Sequence, residues 1–129
     1  MRGTWNAELH GPLADAQAEG ASARRPDAHF YKNRNSGMCD AMTDCTDYLV
    51  RNNIRTLLFT GVNIDQCVMG TLQDASFKGL DCVLLKDGCA TNSPDFARLN
   101  AEQNTMRGLG FLSTCKDLAE AAAQFEGAS

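Results

Sequence analysis

The fold is decided by one stretch in the middle of the chain, residues 56–88, which reads TLLFTGVNIDQCVMGTLQDASFKGLDCVLLKDG. Within it, Thr56 to Val62 is a short and mostly apolar run that predicts a buried strand. Cys82 to Lys86 predicts a second strand of the same kind. Between the two strands, Cys67 to Lys78 carries apolar residues at helical spacing and predicts a helix. Strand, helix and strand in this order are typical of a parallel sheet with crossover helices.

The same alternation continues outward from this stretch. Pro94 lies at the first position of the next predicted helix, with Ser93 as its N-cap. Residues 1 to about 29 read as irregular, and residues 14–25 as a loop or a weak surface helix. The remaining predicted elements are helices at 40–51, 94–107 and 117–125 and a weaker strand at 111–114. We therefore expect a three-layer α/β/α fold with a mostly parallel sheet, and one domain over residues 1–129.

Composition and charge exclude several classes of protein. The chain has 129 residues, 43% of them hydrophobic, and a formal net charge of −4. No dense basic run supports nucleic-acid binding, and the apolar runs are far too short to span a membrane. The first residues lack the apolar stretch of a secretory signal, so a cytoplasmic location is expected. We expect neither a nucleic-acid partner nor a membrane partner.

Six cysteines occur without any C-x-x-C pair, and only two histidines accompany them. This pattern favours reduced thiols over a disulfide framework, and it gives no basis for a zinc site. We expect no metal and no other cofactor. Cys67 differs from the rest because it follows a predicted strand and opens a helix, where backbone N–H groups favour the nucleophilic thiolate. Position alone leaves open that Cys67 is another buried thiol.

Eight fixed positions of one motif occur in register around this cysteine. The segment from Gly61 to Gly79 fits G-V-x-x-x-x-C-V-x-x-T-x-x-D-A-x-x-x-G, and an apolar strand with Asp87 follows. It resembles the signature of the isochorismatase-like cysteine hydrolases, which have a Rossmann-like fold. Upstream, residues 3–9 and 31–37 resemble two further segments of the family, so that the resemblance covers about residues 3–118. Within the family, the resemblance favours the amidohydrolase branch, which includes ureidoacrylate-type enzymes.

The resemblance implies roles for particular residues. Cys67 would be the nucleophile, and Lys32 would be the catalytic lysine whose cation stabilises developing negative charge. A cis peptide bond would join Val62 to Asn63, and the N–H groups of Asn63 and Cys67 would face the substrate oxygen. Phe30, Ile64 and Asn92 are weaker candidates for the substrate pocket. The motif residues Thr71 and Asp74 are read as structural, and Gly79 as a residue that ends the helix.

One family feature is missing from the sequence. The family's third catalytic residue is an aspartate after the first strand, and no acid before Lys32 follows an apolar run. The domain is therefore expected to be incomplete at its N-terminus, and it lacks the general base. Three interpretations stay open: a fragment of a working hydrolase, a weakly active short homologue, or a chain whose missing strand comes from a partner.

The leading function is cysteine-dependent hydrolysis of a small amide or ureido-type substrate through an acyl-enzyme on Cys67. The alternatives are an inactive homologue that acts as an assembly or interaction partner, hydrolysis of an isochorismate-type vinyl ether, and a thiol redox sensor. A small-molecule substrate is expected in the leading case. Because the family usually assembles, a homo-oligomer is expected as well.

Overall fold

A computed structural model describes residues 3–24 and 26–126. Residue 126 is described by its backbone alone. The chain divides into two compact units, Met1–Tyr31 and Lys32–Ser129. In the described ranges, no helix is both long and apolar enough to cross a membrane.

The N-terminal unit contains a short 3₁₀ helix, Trp5–Ala7, and the first α-helix, α1, Gly11–Gly20. Residues 14–25 were expected to form a loop or a weak surface helix, and α1 confirms the helix as far as Gly20. The expectation of an irregular chain was wrong for residues 11–13, where α1 begins. Pro12 occupies the first turn of α1, where a proline is well tolerated, and alanines follow it. Neither helix buries a side chain. Farther along, the rings of His29 and Tyr31 stack with their centroids 4.7 Å apart.

The C-terminal unit is built on a three-stranded parallel sheet in the order β1-β2-β3, which confirms the α/β fold. Two turns of π-helix interrupt the alternation, one before α3 and one after α4. In chain order the elements are α2 Asp44–Arg51, β1 Thr56–Val62, a π turn Ile64–Val68, α3 Met69–Phe77, β2 Asp81–Ala90, α4 Asp95–Asn104, a π turn Thr105–Leu109, β3 Phe111–Ser113 and α5 Cys115–Glu126.

The core lies on one face of this sheet. Phe59 of β1 and Cys82 and Leu84 of β2 are buried there against side chains of the π turn and α3, above all Ile64 and Leu72. The other face is more open. Leu58, Val83 and Phe111 are paired across the three strands, and Leu58 and Phe111 are 50% and 67% exposed. Burial therefore alternates along β1, whereas in β2 Leu85, on the same face as Val83, is also buried.

Several boundaries differ from the sequence prediction for local reasons. β2 continues to Ala90 because the ladder resumes after an irregularity, with Gly61 opposite Cys89. α2 begins at Asp44 rather than at residue 40, since Thr43 caps it by accepting a hydrogen bond from the N–H of Thr46 at 3.1 Å. Ser93 does not cap α4. The N-cap is Pro94, without a side-chain hydrogen bond.

Candidate active site

Cys67 lies at the carboxyl end of β1. The strand ends at Val62, the peptide bond between Val62 and Asn63 is cis, as the motif implied, and the π turn that follows carries the cysteine. Ile64 is fully buried, and Val68 is nearly so, which anchors the turn in the core on both sides of Cys67. Cys67 itself is half-buried. The turn therefore holds the thiol at the sheet edge where parallel α/β sheets bind ligands.

A threonine joins this turn to the loop that carries the candidate lysine. The Thr71 hydroxyl donates to the carbonyl oxygen of Cys67 at 2.7 Å and accepts from the N–H of Gly37 at 3.0 Å. A Cβ added at Gly37 would lie 3.7 Å from Thr71 Cγ2 and 4.0 Å from Lys32 Cδ. The 32–37 loop thus packs against the helix that Cys67 precedes, and the side chain of Lys32 reaches the same place.

The Lys32 ammonium is held by its own loop. Its Nζ donates to the carbonyl oxygens of Arg34 and Asn35, both at 2.9 Å. Among the described residues, these are the hydrogen bonds that Lys32 makes, and neither goes to Cys67. The sequence-predicted pair therefore shares one region, and the described hydrogen bonds of Lys32 do not join it to Cys67.

The turn also contacts the loop after β2 through a polar network that sequence reasoning missed. The hydroxyl of Thr91 donates to the half-buried carboxylate of Asp65 at 2.5 Å, and the N–H of Ser93 donates to Thr91 Oγ1 at 3.1 Å. Gln66 Nε2 adds a longer bond of 3.4 Å to Ser93 Oγ. The hydroxyls of Thr91 and Ser93 lower the pKa of Asp65 from its ordinary value. We define Asp65, Gln66, Thr91 and Ser93 as the inter-loop network.

The weaker pocket candidates are placed differently from one another. Ile64 is a correction: its exposed fraction is 0%, and its side chain belongs to the core, so it does not line a pocket. Asn92 is exposed in the loop after β2, and Asn63 is half-buried directly after the cis bond. Phe30 belongs to the N-terminal unit and is half-buried there.

A groove of about 500 Å³ runs between residues 34–40 and α3. Its charged lining residues are Arg34, Asp40 and Asp74, and Gly70 forms part of its floor. Cys67 and Gly70 are three residues apart on continuous helical backbone, so the groove begins about one turn from the thiol. In the described ranges, no three His, Cys, Asp or Glu side chains come together as a metal site would require.

All six cysteines are free thiols, as the sequence predicted. Burial raises the pKa of Cys45, Cys82 and Cys89. The Asp87 carboxylate raises the pKa of Cys115, mainly through a side-chain hydrogen bond. Cys82 is fully buried in the core and Cys45 and Cys89 pack against it, whereas Cys39 and Cys115 are exposed.

The isochorismatase domain model matches residues 1–117, and the chain belongs to the isochorismatase family. The ureidoacrylate amidohydrolase RutB of Caulobacter vibrioides is 30% identical over 116 residues, which cover 90% of this chain and 47% of that protein. RutB of an Enterobacter species is 37% identical over 76 residues, which cover 58% and 33%. The chain thus spans less than half the length of these relatives.

Solved structures agree with the family at the level of the fold. Nicotinamidase PncA from Bacillus subtilis superposes with a TM-score of 0.75 at 26% identity, over 88% of this chain and 60% of that one. The nicotinamidase SaPncA from Staphylococcus aureus reaches a TM-score of 0.78 at 18% identity, over 88% and 69%. The second likeness shows the fold alone, because its sequence identity is so low.

Proposed function

We propose that the chain is a cysteine-dependent hydrolase of a small amide or ureido-type substrate, with Cys67 as nucleophile and Lys32 as its cationic partner. The observation that carries the proposal is the position of Cys67: it is half-buried in the π turn that follows the carboxyl end of a parallel strand. The names of the relatives, ureidoacrylate amidohydrolase and nicotinamidase, support an amide or ureido substrate for this chain.

The proposed reaction has two stages. The Cys67 thiolate forms a bond to the carbonyl carbon, and the C–N bond then breaks as the nitrogen takes up a proton and leaves. Water attacks the resulting thioester, the C–S bond breaks, and the acid is released with the thiolate restored. The N–H groups of Asn63 and Cys67 are proposed to stabilise the oxyanion in both stages, assisted by the Lys32 cation.

The Cys67 thiol must lose its proton before it attacks, and Asp65 is the acidic residue nearest to it in the sequence. Asp65 lies only two residues from Cys67, but side chains at that spacing leave a helical turn on different sides. Its carboxylate is also engaged by Thr91. We propose that Asp65 is not the base and that turnover is slow, since a positioned general base contributes typically about 10²–10⁴-fold.

Turnover tests the proposal directly. The purified chain is incubated with ureidoacrylate, nicotinamide and related small amides, and release of ammonia or acid is measured. Cys67→Ala should abolish turnover, whereas Cys115→Ser, which changes an exposed free cysteine at the start of α5, should leave it unchanged. Lys32→Ala should lower kcat by about 10²-fold. Turnover that survives in Cys67→Ala, or an acyl adduct found by mass spectrometry on another cysteine, would overturn the proposal.

A vinyl-ether substrate is the alternative within the same family. Isochorismate belongs in the same panel of substrates, and its cleavage by Cys67→Ala at the wild-type rate would favour this alternative. Absence of turnover on every compound would favour a homologue without catalysis.

The row of Leu58, Val83 and Phe111, which is exposed at Leu58 and Phe111 and half-buried at Val83, supports a second candidate, an assembly role. Monomers rarely expose contiguous apolar patches of large area, and this row continues across all three strands. We propose that the chain forms a homo-oligomer in the cytoplasm, where its six free thiols would stay reduced. Sedimentation velocity of the wild-type chain and of Phe111→Ser tests this. A single species of monomer mass in the wild type would contradict it.

A further inference from the structure

We infer that Asp65 is a positioning residue for the Cys67 site. Through its bond to Thr91, Asp65 holds the loop after β2 against the π turn Ile64–Val68, which carries Cys67 and is called the nucleophile turn below. The inference rests on the proposed function for its kinetic consequence, but its structural part stands on the inter-loop network alone. Asp65 belongs to the π turn of Cys67, and Thr91 follows directly on β2.

The topology explains why these two loops meet. β1 and β2 are parallel neighbours, and Val62 is paired with Ala90 at their carboxyl ends. The next residues of each strand therefore leave the sheet side by side, Asn63 into the nucleophile turn and Thr91 into the second loop. Ligand sites of parallel α/β sheets form between such loops. A contact that fixes the distance between them fixes the width of the site.

The network has the properties of a fixed contact. Asp65 is half-buried, and its carboxylate accepts a short bond of 2.5 Å from the Thr91 hydroxyl, as expected for a charged acceptor. The same hydroxyl accepts from the N–H of Ser93, so one side chain both ties the loops and shapes the second loop. Asn92 lies between these two anchored residues. Its backbone is thus held at the edge of the site on both sides.

Asp65 acts here through Thr91 and not on the reacting atoms. Its spacing from Cys67 directs the two side chains apart. Loss of the carboxylate is therefore expected to loosen the second loop and weaken substrate positioning. The thiol itself stays where Ile64 and Val68 anchor it in the core.

Hydrogen–deuterium exchange with mass spectrometry tests the structural part. In Asp65→Ala and in Thr91→Val, amides of residues 90–93 should exchange at least about tenfold faster than in the wild type, a factor that corresponds to about 1.4 kcal/mol. Thr91→Ser keeps the hydroxyl and should restore wild-type exchange. Asp117→Ala removes an exposed carboxylate from α5 and serves as the matched control. The double variant Asp65→Ala/Thr91→Val should be no worse than Thr91→Val alone, because Thr91→Val already removes the bond to Asp65 together with the bond from the Ser93 N–H.

Kinetics on the substrate identified above supply the second readout. Both variants should raise KM by severalfold more than they lower kcat, and Thr91→Ser should rescue KM. Amide exchange at residues 90–93 within twofold of the wild type in both variants, or additive effects in the double variant, would overturn the inference even if Cys67-dependent turnover persists. Accelerated exchange in a chain without Cys67-dependent turnover would overturn the proposed function and leave the contact established.

Discussion

Two helices that follow strands of the sheet, α3 and α5, differ in how far their side chains are buried. α3 and the π turn before it bury Ile64, Val68, Leu72 and Ala75. In α5, every side chain from Cys115 to Phe125 is exposed, including Leu118 at 40% and Phe125 at 82%. Both helices follow a strand of the same parallel sheet, so their place in the chain does not explain the difference.

The difference lies in what each helix meets. The π turn before α3 contacts β1, and α3 lies over β2, where Phe59, Cys82 and Leu84 offer apolar surface. α5 contacts β2 and is fastened at its first residue, where Asp87 Oδ1 accepts from the N–H of Cys115 at 2.6 Å. One helix is thus stabilised by burial and the other by a polar bond at its end. The four predictions below exploit this contrast.

The largest effect is expected from matched leucine truncations in the two helices. Leu72→Ala removes a fully buried side chain from α3 and should lower the free energy of unfolding by about 2–5 kcal/mol. Leu118→Ala makes the same change in α5 and should cost less than about 1 kcal/mol. Urea denaturation followed by circular dichroism measures both variants. Equal losses would mean that α5 is covered in solution, and the contrast between the helices would be lost.

A second prediction concerns the hydroxyl that ties α3 to the 32–37 loop. Thr71→Val removes both of its hydrogen bonds, to Cys67 O and from Gly37 N, and should cost about 1–2 kcal/mol. Thr71→Ser keeps the hydroxyl and is the control. The Gly37 amide should also exchange faster with deuterium in the valine variant only. Unchanged exchange at Gly37 would show that the loop is held by other contacts.

Sequence reasoning predicted the parts of this contrast that depend on local pattern. Apolar strands at 56–62 and 111–113 and a helix around Leu72 and Ala75 follow from periodicity, and the structure contains them. α5 was predicted as well, but its exposure was not, because the same apolar residues suit a buried or an exposed helix. β2 was predicted to end before Asp87-Gly88. Its ladder resumes through pairing with β1, which no local signal reports.

The candidate site could be predicted from the sequence to about the same extent as the fold. Cys67 and the cis bond after Val62 follow from a motif of contiguous residues, and both lie where the motif implied. The bond between Asp65 and Thr91 was missed because it joins two ordinary polar residues 26 positions apart. Only the pairing of Val62 with Ala90 brings them together, and that pairing is a property of the sheet. Ile64 was misassigned because a residue beside a nucleophile can point to the core as well as to the pocket.

A third prediction addresses where α3 ends. Gly79 has a φ of +82°, a conformation that costs other residues about 1–2 kcal/mol, and it lies directly after the helix C-cap. No atom lies within 4 Å of a Cβ added there, so Gly79→Ala should cost only that backbone strain. Gly108→Ala, in the π turn after α4, also has open space and no positive φ, and it should be neutral or slightly stabilising. Thermal melts compare the two variants. A neutral Gly79→Ala would show that the end of α3 relaxes freely.

The smallest effect is expected at the start of α5 and depends on pH. The Cys115 N–H, donating to Asp87, lowers the pKa of this carboxyl below its ordinary value of 3.8. A group with a lowered pKa in the folded state stabilises the fold above its unfolded pKa, and this stabilisation is lost as the pH falls through the folded pKa. Below about pH 4 the melting temperature of the wild type should therefore decrease, and the melting temperature of Asp87→Asn should decrease less steeply over the same range. Hydrogen exchange of the first α5 amides, compared at pH 6 and pH 3.5, should show that the stability lost in acid is lost at this helix. If Asp87→Asn keeps the wild-type acid slope, the polar bond does not fasten α5, and the two helices differ in burial alone.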